Sequence, residues 1–150
     1  MRIYIGADHN GFDFKKQLSD YLKKNGYEVV DEGDEQRSPE DDFPQFAGKV
    51  IMAMRGDNDP TKARGILICG SGQGMCMAAN RFKGIRAALA FDQEEARASR
   101  NDEDSNVLCL SARYSDFDTN VSILHTWLMT PFAGAGRFKR RIQELDQLGD

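Results

Sequence analysis

The sequence predicts an α/β fold in which residues 1–150 form one domain around a mostly parallel sheet of five strands, covered by helices on both faces. Three observations carry this. The run "GILIC" (65–69) is unbroken aliphatic sequence of the kind buried on both faces of a parallel sheet. Short β-rich runs alternate with segments of helical apolar spacing, the pattern of βαβ units. The length, 150 residues, is that of one ordinary domain, and no linker, repeat or low-complexity segment divides it.

In chain order, "RIYIG" (2–6) reads as the first strand. The segment "GFDFKKQLSDYLKKNG" follows, with Phe14, Leu18, Tyr21 and Leu22 at helical spacing and Gly26 as its stop. "YEVVDEG" is a second strand. Residues 31–42 are acidic, contain Pro39 and lack periodicity, so they read as an exposed loop. A helix over 43–56 places Phe46, Val50 and Met54 on one face. After "GILIC" come a helix near 73–81, a strand "IRAALA" (85–90), a helix near 92–101 and a strand "VLCLS" (107–111). Helices near 117–129 and 137–148 complete the chain.

Bulk properties exclude several classes. A net charge of -4 leaves no electrostatic footprint for nucleic acid, and the one basic cluster, "RFKRR" (137–141), is short. No apolar run approaches the roughly 20 residues of a membrane helix, and the N-terminus lacks signal-peptide character, so a cytoplasmic protein is expected. Cys69, Cys76 and Cys109 form no CxxC pair and match no histidine spacing. They read as free thiols, with neither a disulfide framework nor a metal site indicated.

In open α/β sheets ligands bind beyond the carboxyl ends of the strands, which makes the loops "ADHNG", "CGSGQG", "FD" and "SARY" the candidates. In "CGSGQG", Gly70, Gly72 and Gly74 allow close backbone approach, and successive N–H groups beside a helix N-terminus suit an oxyanion or phosphate. The alternative is a βα turn whose glycines serve packing. Sharper nucleotide readings fail on spacing. No G-x-x-x-x-G-K-[ST] string occurs. Met75 stands where a dinucleotide fingerprint needs its third glycine, and where a cysteine phosphatase needs its arginine.

Cys69 ends the strand against that loop, an environment that favours thiolate and suits a base or nucleophile. Cys76 and Cys109 read as packing residues. Of the two histidines, His125 lies in a helical pattern and reads as structural, while His9, beside Asp8, is placed like a site residue. Arg113, Arg137 and Arg141 offer guanidinium groups for bidentate phosphate recognition, the last two one helical turn apart. A solvated basic helix start is the plainer account of that pair.

Together with "IGADHNGFDFK", "DDFPQFA", "GILICGSGQGMCMAANRFKGIRAA", "SNVLCLSAR" and "GRFKRR", these residues make the chain similar, end to end, to the ribose-5-phosphate isomerase B and galactose-6-phosphate isomerase family. The resemblance implies a Rossmann-like three-layer α/β/α sandwich and a homodimer with active sites between subunits, a dimer of dimers remaining open. It further implies aldose–ketose isomerisation of a phosphorylated pentose or hexose without metal or cofactor. Cys69 takes the position of the base that moves a proton between C1 and C2. Gly70, Ser71, Gly72, Gln73 and Gly74 take that of the loop holding the enediolate oxygens. Asp8 and His9 match the substrate-binding pair, and Arg113, Arg137 and Arg141 the phosphate and substrate anchors.

The chain departs from the family at three positions. Asp102 stands where the family has the histidine that opens the furanose ring, Glu103 where it has an asparagine, and Phe138 where it has a further histidine. Ring opening then falls to an Asp102 raised by burial or by its acidic neighbours, or to His9, or the substrate is one more often open-chain. The rival from another class is a non-catalytic sugar-phosphate-binding protein or an inactive partner subunit. Retention of Cys69 argues against that rival.

Overall fold

A computed structural model describes residues 1–149. Its elements in order are β1 (Arg2–Ala7), α1 (Phe12–Lys24), β2 (Glu28–Asp31), α2 (Phe43–Arg55), β3 (Arg64–Cys69) and α3 (Gln73–Ala79). They continue as β4 (Ala87–Leu89), α4 (Gln93–Asn101), β5 (Val107–Ser111), α5 (Phe117–Met129) and α6 (Gly136–Asp146). The five strands form one sheet in the order β2-β1-β3-β5-β4, and every neighbouring pair is parallel. The expected α/β sandwich is thus present.

Alternation along the strands divides the core between two faces. Ile3, Ile5, Ile66, Ile68, Leu108 and Leu110 face α1, α4 and α5, where Leu18, Leu22, Ala96, Ile123, Leu124 and Trp127 close the layer. Tyr4, Leu67, Cys69, Val107 and Cys109 face α2 and α3 and pack on Phe46, Val50, Met54 and Met75. This double burial is why the sequence of β3 shows no polar alternation. Two helix starts are fixed by side chains. Asp92 accepts from Glu95 N while Glu95 accepts from Phe91 N, and Asp116 accepts from Thr119 N.

The strand expected over 85–90 forms only over Ala87–Leu89. It is the sheet edge next to β5, and side chains take over the backbone pairing there. The Asn80 amide donates to Ala87 O (2.9 Å) and accepts from Ala87 N (2.8 Å), and Asn106 Oδ1 accepts from Arg86 N (2.9 Å).

The strand order also locates the site. From β1 the chain moves outward to β2, then returns across β1 to β3, so the topological switch point lies between the carboxyl ends of β1 and β3. Those ends carry Asp8, His9 and the Cys69–Gly74 loop.

Candidate active site

Beyond β1 the chain turns through Asp8–Gly11. Asp8 is buried, and its Oδ1 accepts from Asn10 N (2.9 Å) and Gly11 N (3.3 Å), which holds the turn closed. The turn is tied to β3 by Asp8 N donating to Ile68 O (3.3 Å). Asn10 packs against Gly70, since a Cβ on that glycine would lie 3.6 Å from Asn10 Cβ. His9 precedes this contact by one residue.

Cys69 is 6% exposed, and its Sγ accepts from Gly72 N at 3.1 Å. Gly72 has φ +78, the left-handed conformation that turns its N–H back toward the sulfur. Gln73 N reaches Ser71 Oγ (3.3 Å). Among the described residues, the amides of Ser71 and Gly74 have no hydrogen-bond acceptor. They are free donors next to a thiol. The expected helix contribution is smaller than the sequence suggests, because α3 has only seven residues, so the local N–H groups carry the site.

Neighbouring elements fix this loop. Ser111 Oγ donates to Gly70 O (2.7 Å) and accepts from Tyr114 N (2.9 Å), while Arg113 N donates to the same Gly70 O (2.9 Å). The Arg113 guanidinium lies over Gly70, with Nη2 3.4 Å from where a Cβ would stand. On the other side the Phe43 ring closes on Gly74, leaving 2.9 Å to a Cβ there.

Two residues here lie in "DDFPQFA" but carry no role in the sequence reading. Phe43 forms part of the wall. Asp41, in the loop expected to be merely exposed, has a side chain only 10% exposed, and its Oδ1 accepts from His9 N (3.1 Å) and lies 2.6 Å from His9 Nδ1. Its partner is 32 residues away, so no local pattern announces the contact. Asp8, His9 and Asp41 each offer a ligand atom within 4.8 Å of the others. A hydrogen bond joins His9 to Asp41, whereas Asp8 bonds to the Asn10 and Gly11 amides.

The remaining predicted residues lie elsewhere in the same chain. Helix α4 returns antiparallel to the strands and delivers Asp102 and Glu103 to the amino-terminal edge of the sheet, where Arg86 Nε donates to Glu103 O (3.0 Å). Asp102 is half-buried, and its Oδ1 accepts from Asn101 Nδ2 (2.7 Å). Helix α5 likewise ends at that edge, where Ala133 N donates to Asn101 O (3.0 Å), and α6 departs from there with Arg137 and Arg141 exposed. One chain thus holds two separated groups. Asp8, His9, Cys69 to Gly74 and Arg113 gather at one end of the sheet, and Asp102, Glu103, Arg137 and Arg141 at the other.

The other cysteines keep their packing roles. Burial pushes the Cys109 thiol well up. A hydrogen bond from Cys109 holds the half-buried Cys76 thiol below its ordinary range. His125 is exposed on α5 rather than part of the core.

Fold and site define an α/β protein with a thiol set among backbone donors at its switch point. A family model described as ribose/galactose isomerase matches residues 3–145. The chain is 41% identical over 143 residues to a probable ribose-5-phosphate isomerase B of Mycoplasma genitalium, covering 95% of this chain and 92% of that one. Ribose-5-phosphate isomerase B of Clostridium thermocellum superposes with a TM-score of 0.91 at 41% identity, over 99% of this chain and 97% of that one. The Mycoplasma genitalium enzyme with bound ribulose-5-phosphate superposes with a TM-score of 0.91 at 40% identity, over 97% and 94%. The chain belongs to the ribose/galactose isomerase family.

Proposed function

We propose that this protein interconverts an aldose phosphate and a ketose phosphate, with ribose 5-phosphate and ribulose 5-phosphate as the first pair to test. The observation that carries this is the Gly72 N–H aimed at Cys69 Sγ beside the unpaired amides of Ser71 and Gly74. A carbon acid needs a positioned base and donors where charge develops, and this loop supplies both. Cys69 removes a proton from the carbon next to the carbonyl, the loop amides hold the enediolate oxygens, and the proton returns to the neighbouring carbon. Asp8 and His9 bind the sugar, while Arg113 stands over the loop as an anchor. Binding at the phosphate then holds the reacting carbons in place. The relative that binds ribulose-5-phosphate supports the five-carbon substrate.

The working site is built from two copies of the chain. Asp102, Glu103, Arg137 and Arg141 lie too far round the sheet to serve their own Cys69, and a two-fold partner brings the same groups to it. That arrangement is a homodimer in which each subunit completes the other's site. Free thiols and a charged, phosphorylated substrate support a cytoplasmic setting.

The experiment is proton exchange in deuterated water with five- and six-carbon aldose and ketose phosphates, followed by NMR. Exchange at C1 and C2 is expected with the pentose phosphates, and no exchange with any sugar would leave a binding protein instead. The dimer has its own test. Cys69→Ala and the double variant Arg137→Ala/Arg141→Ala, each inactive alone, recover about one quarter of wild-type activity when unfolded together and refolded as mixed dimers. Failure to recover, with mixed dimers confirmed by native mass spectrometry, would place both groups in one subunit's site.

A further inference from the structure

We propose that Asp41 is a positioning residue that fixes His9 as the proton carrier for opening the sugar ring. This rests on the isomerase reading above and assigns a step that the thiol and the amides do not perform.

One carboxylate oxygen, Asp41 Oδ1, accepts from the His9 backbone N–H (3.1 Å) and lies 2.6 Å from Nδ1 of the same residue. It therefore holds both the backbone and the ring of His9. The Asp41 side chain is 10% exposed and the His9 ring 27%, so the carboxylate is shielded while the imidazole stays accessible to a ligand. Among the described residues, both carboxylate hydrogen bonds of His9 are to Asp41, while the Oδ1 of neighbouring Asp8 is engaged by the Asn10 and Gly11 amides. An acceptor on Nδ1 selects the tautomer with its proton there and leaves the Nε2 lone pair open, the same logic by which carboxylates orient catalytic and metal-bound histidines. His9 is next to Asn10, which packs on Gly70 of the donor loop. The chain's only other imidazole, His125, is exposed on α5, outside the switch-point loops. Asp102, the other candidate from the sequence, reaches a site only through a partner subunit, and its Oδ1 is bonded to Asn101.

The step balances without any further reactant. Nε2 takes the proton from the C1 hydroxyl as the C1–O4 bond of the furanose breaks. The O1 electron pair becomes the carbonyl π bond, and the C1–O4 pair leaves on O4. The imidazolium then returns its proton to O4, so His9 ends as it began.

Ribulose 5-phosphate supplies the control, because its phosphorylated O5 cannot close a furanose ring and the enediol step starts from the open chain. In Asp41→Ala, turnover of ribose 5-phosphate is expected to fall about 10–100-fold, the usual effect of losing a partner behind a working histidine. Solvent exchange at C1 of saturating ribulose 5-phosphate, where weaker binding through His9 does not enter, is expected to change less than about twofold. Long-range proton–nitrogen NMR of the substrate-free protein should show His9 with its proton on Nδ1 in the wild type and on Nε2 in Asp41→Ala. Asp41→Asn retains an acceptor oxygen but not the charge that stabilises the imidazolium, so it should keep the tautomer with only partial turnover, and Asp41→Leu, which removes the acceptor while filling the space, stands in should Asp41→Ala fail to fold. Equal loss on both sugars, no loss on either, or an unchanged tautomer would overturn the assignment while leaving the isomerase intact. So would a loss on ribose 5-phosphate seen in Asp102→Asn but not in Asp41→Ala. No exchange by the wild-type protein on ribulose 5-phosphate would instead overturn the isomerase reading itself.

Discussion

Cys69→Ala is expected to lower turnover of ribose 5-phosphate by about 10³-fold and to abolish C1 exchange on ribulose 5-phosphate, within the range seen when a positioned general base is removed. Both substrates lose together, because proton transfer between C1 and C2 is common to them. KM should change little, since the arginines proposed to anchor the phosphate are untouched and the lost interaction belongs to the transition state. Serine in place of Cys69 should be nearly as poor as alanine. Its hydroxyl still accepts from Gly72 N but is a far weaker acid than a thiol, so almost none of it is ionised near neutral pH. The sulfur is also buried among Leu67, Met75 and Cys109, so its deletion leaves a small void costing about 1 kcal/mol. Thermal melting therefore accompanies the kinetics: a loss of rate far beyond the loss of folded protein is the signature of a base. Exchange that persists at the wild-type rate in Cys69→Ala would remove the thiol from the mechanism.

Strand β3 and its loop were legible because burial on both faces writes an unbroken apolar run, and because the glycines must follow it where the backbone turns. Strand β4 was half legible. "IRAALA" has the composition of a strand, yet only three residues pair, because the edge position lets the Asn80 and Asn106 side chains replace part of the ladder. Asp41 was legible only as the first residue of "DDFPQFA", with no role attached. It lies in an acidic stretch without periodicity, and only the return of the chain across the end of β1 shows that its carboxylate is shielded and paired with His9. The resemblance implies sites between subunits, but which residues fall in which group was hidden. Motif order names Asp102, Glu103, Arg137 and Arg141, but which end of the sheet they occupy follows from the direction of α4 and α5, which a motif does not contain.

Gly72→Ala is expected to cost about 2–4 kcal/mol of stability and at least about 10²-fold in turnover, more than any other single methyl group added to this loop. Two effects combine. At φ +78 an L side chain is strained, which alone costs about 1–2 kcal/mol. The new Cβ would also stand 2.6 Å from Leu89 Cδ1 and 3.1 Å from the backbone C and O of Leu110, and a strand carbonyl in the sheet centre does not move aside as a flexible side chain does. The loop must shift instead, and the Gly72 amide then leaves Cys69 Sγ. Gly84→Ala separates the two effects, because Gly84 shares the conformation at φ +79 but has nothing within 4 Å of its Cβ position. That variant should lower Tm by about 3 °C and leave turnover unchanged, whereas Gly72→Ala should lower Tm by roughly 10 °C for a chain of this size. If the two variants melt together and both retain activity, the backbone at Gly72 is not under tight constraint, and the donor at the sulfur is incidental to the chemistry.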